Sequence, residues 1–135
     1  MARNILGVVA GLAVWIAIAV VAGAIMRSAW PDYASVADAR TFTLPMMFAR
    51  LAIGALATLA AGWVIAVVAR RSMLARMTAG LLLVGGFVPQ HLMLWEKFPV
   101  WYHLTFLVSL VPLAYLGGQI SALLAGAAPR PIKTS

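Results

Sequence analysis

Pro89-Gln90-His91-Leu92-Met93-Leu94-Trp95-Glu96-Lys97-Phe98-Pro99-Val100-Trp101-Tyr102-His103 holds both histidines of the chain, one of its three carboxylates, and two of its five tryptophans. Long apolar segments flank it on both sides. It therefore reads as a tight polar turn joining two membrane helices, and the rest of the chain follows from that reading.

Of the 135 residues, 64% are hydrophobic and 10% are charged, against roughly 25% charged in soluble domains. Four apolar runs, each near the roughly 20 residues that cross a bilayer, account for the excess. A soluble core of this size has no room for so much apolar surface. The chain is expected to be all-α, an integral membrane four-helix bundle with helices over about 5–26, 45–69, 77–95 and 100–124. These make one domain, 1–125, followed by a polar, proline-containing tail, 126–135, expected to be disordered. The chain has no cysteine, which excludes disulfides, thiol chemistry and cysteine-rich metal sites. It also excludes the four-helix disulfide-generating enzymes, whose work is done by cysteine pairs. A net charge of +7 suggests nucleic acid in a soluble protein. Here membrane topology explains it better, and no nucleic-acid partner is expected.

Arg3 precedes an apolar run from Ile5 to Met26. It is too long for a signal peptide ending at Ala22-Gly23-Ala24, whose apolar part spans about 7–15 residues. Gly7 and Gly11 form a GxxxG pair that admits a close helix neighbour. Trp30 and Tyr33 mark a water–lipid boundary at the start of the longest loop. Ser35-Val36-Ala37-Asp38 fits a capping box, so a short surface helix through Arg40 is expected. The second helix starts near Pro45 and carries Gly54, Thr58 and Ala61 on one packing face. Arg50 lies inside it, either snorkelling to the headgroups or paired with Asp32, Asp38 or Glu96.

Arg70, Arg71 and Arg76 read as a loop cluster and set the orientation. With that loop in the cytoplasm, Arg3, Arg130 and Lys133 join it, and no carboxylate does. Both termini are then inside, in the inner membrane of a bacterial cell. Thr78, Gly85 and Pro89 share a face of the third helix, with Gly85 as a packing position. Pro89 and Pro112 each remove a helical hydrogen bond, so kinks are expected. Thr105, Ser109, Pro112 and Gln119 make a polar stripe expected to face protein or water.

His91 and His103 sit about equally far from the centre of the turn, so a hairpin places them at matched depth. Such a pair either ligates a haem iron or metal ion, or forms ordinary hydrogen bonds near the boundary. Glu96 is a candidate base beside them, but no nucleophile accompanies it, and no catalytic or nucleotide motif occurs. Arg50, Gln90 and the tryptophans are candidates to frame a pocket for a lipid headgroup or quinone. All three carboxylates fall in or beside outward loops, and the first helix lacks the glutamate that small four-helix multidrug exporters use. That opposes a proton-driven carrier and leaves an oligomeric channel or uncoupled transporter as an alternative. The leading expectation is a non-enzymatic accessory or assembly subunit without a cofactor. It would be surrounded by membrane lipids and partnered by other helices, as a homo-oligomer or in a larger complex. The runner-up is a ligand-binding protein with a site at Arg50, Gln90, His91, Glu96 and His103.

Overall fold

The protein is described from a computed structural model covering residues 1–127. Its elements are α1 (Ala2–Ala29), α2 (Pro31–Val36), α3 (Leu44–Val68), α4 (Met73–Met93) and α5 (Val100–Ala127). The described residues are all helical apart from turns. Four of the helices, α1, α3, α4 and α5, are long and apolar enough to cross a membrane. At 1.5 Å per residue the shortest of them, α4, spans about 32 Å, the thickness of a bilayer's hydrocarbon core. Gly126 and Ala127 extend α5. The rest of the expected polar tail, with Arg130 and Lys133, lies outside the described residues.

Local chemistry sets the helix ends. Trp30 is extended, as the residue before a proline prefers, and Pro31 opens α2 where its missing N–H costs nothing. A short helix therefore stands in this loop, but over Pro31–Val36; residues 37–40, where the capping-box pattern places it, form a turn with Arg40 in left-handed backbone (φ 58°). Ser35 lies inside that helix, donating to the Asp32 carbonyl at 2.8 Å. Ser72 caps α4, its hydroxyl accepting from the Ala75 N–H at 3.2 Å. This cap starts α4 four residues before position 77 and takes Arg76 into the helix. Arg70 and Arg71 make the turn itself, both with left-handed backbone (φ 49° and 62°). That conformation costs roughly 1–2 kcal/mol per residue. It is held by the Arg71 N–H on the Ala66 carbonyl at 2.6 Å.

Arg76 is a buried cation rather than a loop one. Its guanidinium donates to the carbonyls of Tyr115 (3.0 Å), Arg71 (3.3 Å) and Ser72 (3.4 Å), and it lies over the Tyr115 ring. Carbonyls thus do the work of a counter-ion, and the turn is tied to α5.

Around the bundle α1 packs on α3, α3 on α5, α5 on α4, and α4 more thinly back on α1. Small residues let these helices touch. Gly62 abuts the Ala114 carbonyl and Gly117 the Leu59 carbonyl, so the α3 and α5 backbones cross in direct contact. Gly7 faces Ala69, Gly11 faces Ile65, and Gly54 faces the Phe106 ring. Gly85 does not share this role: open space surrounds it. α4 and α5 run unbroken through Pro89 and Pro112. The polar stripe on α5 lies along the edge of the bundle. Thr105 and Pro112 are exposed, Ser109 and Gln119 are half-buried, and Ser109 bonds back to the Phe106 carbonyl at 2.9 Å. In the core the Trp15 indole donates to the fully buried Thr58 hydroxyl at 2.9 Å, which donates to the Gly54 carbonyl at 2.7 Å. Phe87 packs beside this chain, tilted against Trp15 and edge-on to Phe106.

Candidate functional site

His91 ends α4 and His103 opens α5, and the turn between them brings the two rings together. Their Nδ1 atoms are 2.7 Å apart. His103 is fully buried, and its Nε2 lies 3.4 Å from the Trp95 carbonyl, with the Trp95 indole stacked on its ring at 4.8 Å. A carbonyl only accepts, so the consistent tautomers put a proton on His103 Nε2 and leave its Nδ1 to accept from His91 Nδ1–H. Each facing nitrogen is thus used by the other. A metal ion held by both, at about 2.0–2.1 Å from each nitrogen, needs them about 3.3 Å apart at a tetrahedral angle, so the pair would have to open to admit one. Among the described residues no group of three or more His, Cys, Asp or Glu gathers that could hold a metal. Glu96 is exposed on the turn, and no hydrogen bond or ion pair joins it to Arg50 or to either imidazole.

Arg50 has neither of its expected environments. It does not reach a carboxylate: Asp38 pairs with Arg27 at 3.1 Å on the exposed rim. Nor does it extend freely into the boundary. Its Nη1 donates to the Tyr33 hydroxyl at 2.7 Å and its Nε to the Tyr102 hydroxyl at 3.3 Å, with the Phe42 ring 4.7 Å from its carbon centre. Tyr33 comes from α2 and is buried there with Ala37 one turn on, against Met46 of α3. The short helix that Pro31 starts is what delivers this phenol. Tyr102 precedes His103 on α5 and stacks on Phe98 at 4.8 Å. Among the described residues Arg50 Nη2 bonds to no protein atom, and no buried polar side-chain atom lacks a partner, so Nη2 is accessible.

Three cavities share Arg50 as a wall. An inner one of about 220 Å³ lies between all four long helices, against Trp15, Ala19, Gly54, Phe87 and Phe106. A vestibule of about 230 Å³ is bordered by Arg27, Arg40, Tyr33 and Gln90, with no carboxylate on its wall. A niche of about 50 Å³ connects Arg50 with His91 and Gln90. The structure therefore brings Arg50, Gln90 and His91 to one place, sets His103 edge-on behind His91, and leaves Glu96 outside. Tyr33, Tyr102, Phe42 and Trp15 complete the site. Tyr33 and Tyr102 showed in the sequence only as aromatic residues of the loop stretches, and Phe42 and Trp15 carried no signal there.

No family model, no curated protein and no solved structure matches this chain.

Proposed function

We propose that the chain is a non-enzymatic membrane protein of the bacterial inner membrane that binds a small ligand in the outer half of its bundle. One observation carries this reading: a guanidinium without a carboxylate partner keeps a free donor and lines a cavity between the four long helices. Keeping a cation at membrane depth is costly, and such residues usually serve a site. No nucleophile with a base beside it borders the cavity, so chemistry on the ligand is not part of the reading. The orientation in this reading has both termini inside, because Arg3, Arg70, Arg71, Arg76, Arg130 and Lys133 fall to one side in the sequence against Arg27, Arg40, Arg50 and Lys97 on the other.

The absence of cysteine makes the orientation easy to test. Glu96→Cys should react with a membrane-impermeant maleimide on intact cells, and Arg71→Cys only after lysis. The reverse pattern would turn the site to the cytoplasm. For the ligand itself, native mass spectrometry in mild detergent should show a retained small molecule that Arg50→Gln loses.

A second reading, the accessory role, draws on the outer face of α5. Pro112 leaves the Val108 carbonyl without its helical donor, and Thr105, Val108 and Pro112 are all exposed there. Lipid offers no donor, whereas a partner helix does. Cross-linking from Thr105→Cys that captures a second copy or one larger membrane complex supports this role. Monomers alone count against it.

A further inference from the structure

The ligand-binding reading above leaves the class of ligand open, and the donors around Arg50 narrow it. The hydroxyls of Tyr33 and Tyr102 both accept from the guanidinium. A phenol that accepts still carries its own proton, and neither hydroxyl donates to any protein atom among the described residues. Arg50 Nη2 also has unused N–H bonds. Three donors thus converge where three cavities meet, and no carboxylate opposes them.

The surroundings extend the same imbalance. Arg27 and Arg40 line the vestibule along with Arg50, and its wall holds no aspartate or glutamate. The one carboxylate nearby, Asp38, is on the exposed rim and is engaged with Arg27. Past the guanidinium the wall changes character. The inner cavity runs along Trp15, Ala19, Phe87 and Phe106, and its volume of about 220 Å³ suits roughly nine carbon atoms if six fill about 150 Å³. A site with surplus donors and positive charge at one end and an apolar, aromatic wall at the other matches a molecule built the same way.

We propose that this site binds an acidic amphiphile, with a carboxylate or phosphate headgroup accepting from Arg50, Tyr33 and Tyr102 and a medium-length chain between Trp15, Phe87 and Phe106. The headgroup takes the place of the missing counter-ion. Its hydrogen bonds to the guanidinium are charge-assisted, and the low dielectric strengthens them.

The test uses the full chain in phosphatidylcholine nanodiscs, titrated with decanoate, decanol and inorganic phosphate. Decanoate should bind about 10- to 100-fold more tightly than decanol, the range expected for hydrogen bonds to a charged partner. Arg50→Gln should abolish that preference. Because Arg50 also ties α2 to the bundle, two further variants guard against simple misfolding. Tyr33→Phe with Tyr102→Phe keeps the cation and both rings and should weaken decanoate several-fold. Ala19→Phe fills the apolar cavity and should exclude decanoate. Decanol binding as tightly as decanoate would overturn the acidic headgroup while leaving a ligand site in place. Phosphate binding as tightly as decanoate would overturn the chain. Failure of all three probes to bind would overturn the inference together with the ligand-binding reading.

Discussion

Adding one methyl group at Gly117 should pry apart the two central helices. A Cβ there would run into the Leu59 backbone, 2.9 Å from its carbonyl carbon and closer still to the oxygen. Backbone does not swing aside as a flexible side chain can, so α3 and α5 must separate by about 1 Å to restore ordinary contact. A gap of that size forfeits a quarter to a half of each atom pair's attraction, itself about 0.1–0.2 kcal/mol. A crossing with on the order of 40–60 such pairs then loses about 1–6 kcal/mol. Partial relaxation brings this to the roughly 1–3 kcal/mol usual for overpacking. Gly62→Ala should cost a similar amount, since it meets the Ala114 carbonyl from the other side. Gly85→Ala is the control: nothing lies within 4 Å of its added carbon, and its effect should stay within about 0.5 kcal/mol. Unfolding by SDS titration in mild detergent, followed by tryptophan fluorescence, measures all three. If Gly117→Ala unfolds with wild type, or Gly85→Ala does equal damage, the crossing is not where the bundle is held.

Two other polar contacts make separate predictions. Thr58→Val keeps the shape but leaves the buried Trp15 N–H without its acceptor, and should cost about 1–2 kcal/mol in the same titration, with Thr58→Ser close to wild type. Arg76→Lys keeps the charge but loses the fork that reaches three carbonyls. It should destabilise by about 1–3 kcal/mol and open the neighbouring turn to trypsin at Arg70 and Arg71. Unchanged cleavage would mean that the turn holds without it.

How much of this was legible in the sequence depended on the range of the physics involved. The four helices were readable because hydrocarbon demands about 20 apolar residues per crossing, a property of each segment alone. The His91–His103 contact was nearly so, because a hairpin pairs residues equidistant from its turn. Arg76 was misread because a charge between apolar runs reads as a loop, whereas carbonyls at a helix end and on α5 satisfy it inside the bundle. One glycine was misread in the same way: Gly85 shares a helix face with Thr78 but has no neighbour, while Gly62 and Gly117, unmarked by any local pattern, matter because each meets the other's helix.

Arg50 is the instructive case, since its partners lie 17 and 52 residues away and belong to a type that charge pairing does not suggest. A search for its counter-ion along the chain looks for a carboxylate, and the protein supplies two phenols and an aromatic ring. Those groups hold the guanidinium in place without neutralising it. Had Asp38 or Glu96 reached Arg50, the pair would be closed on itself, and the cavity would have little to offer an anion. The feature that hid the site from a reading of charges is therefore what keeps its donors free for a ligand from outside.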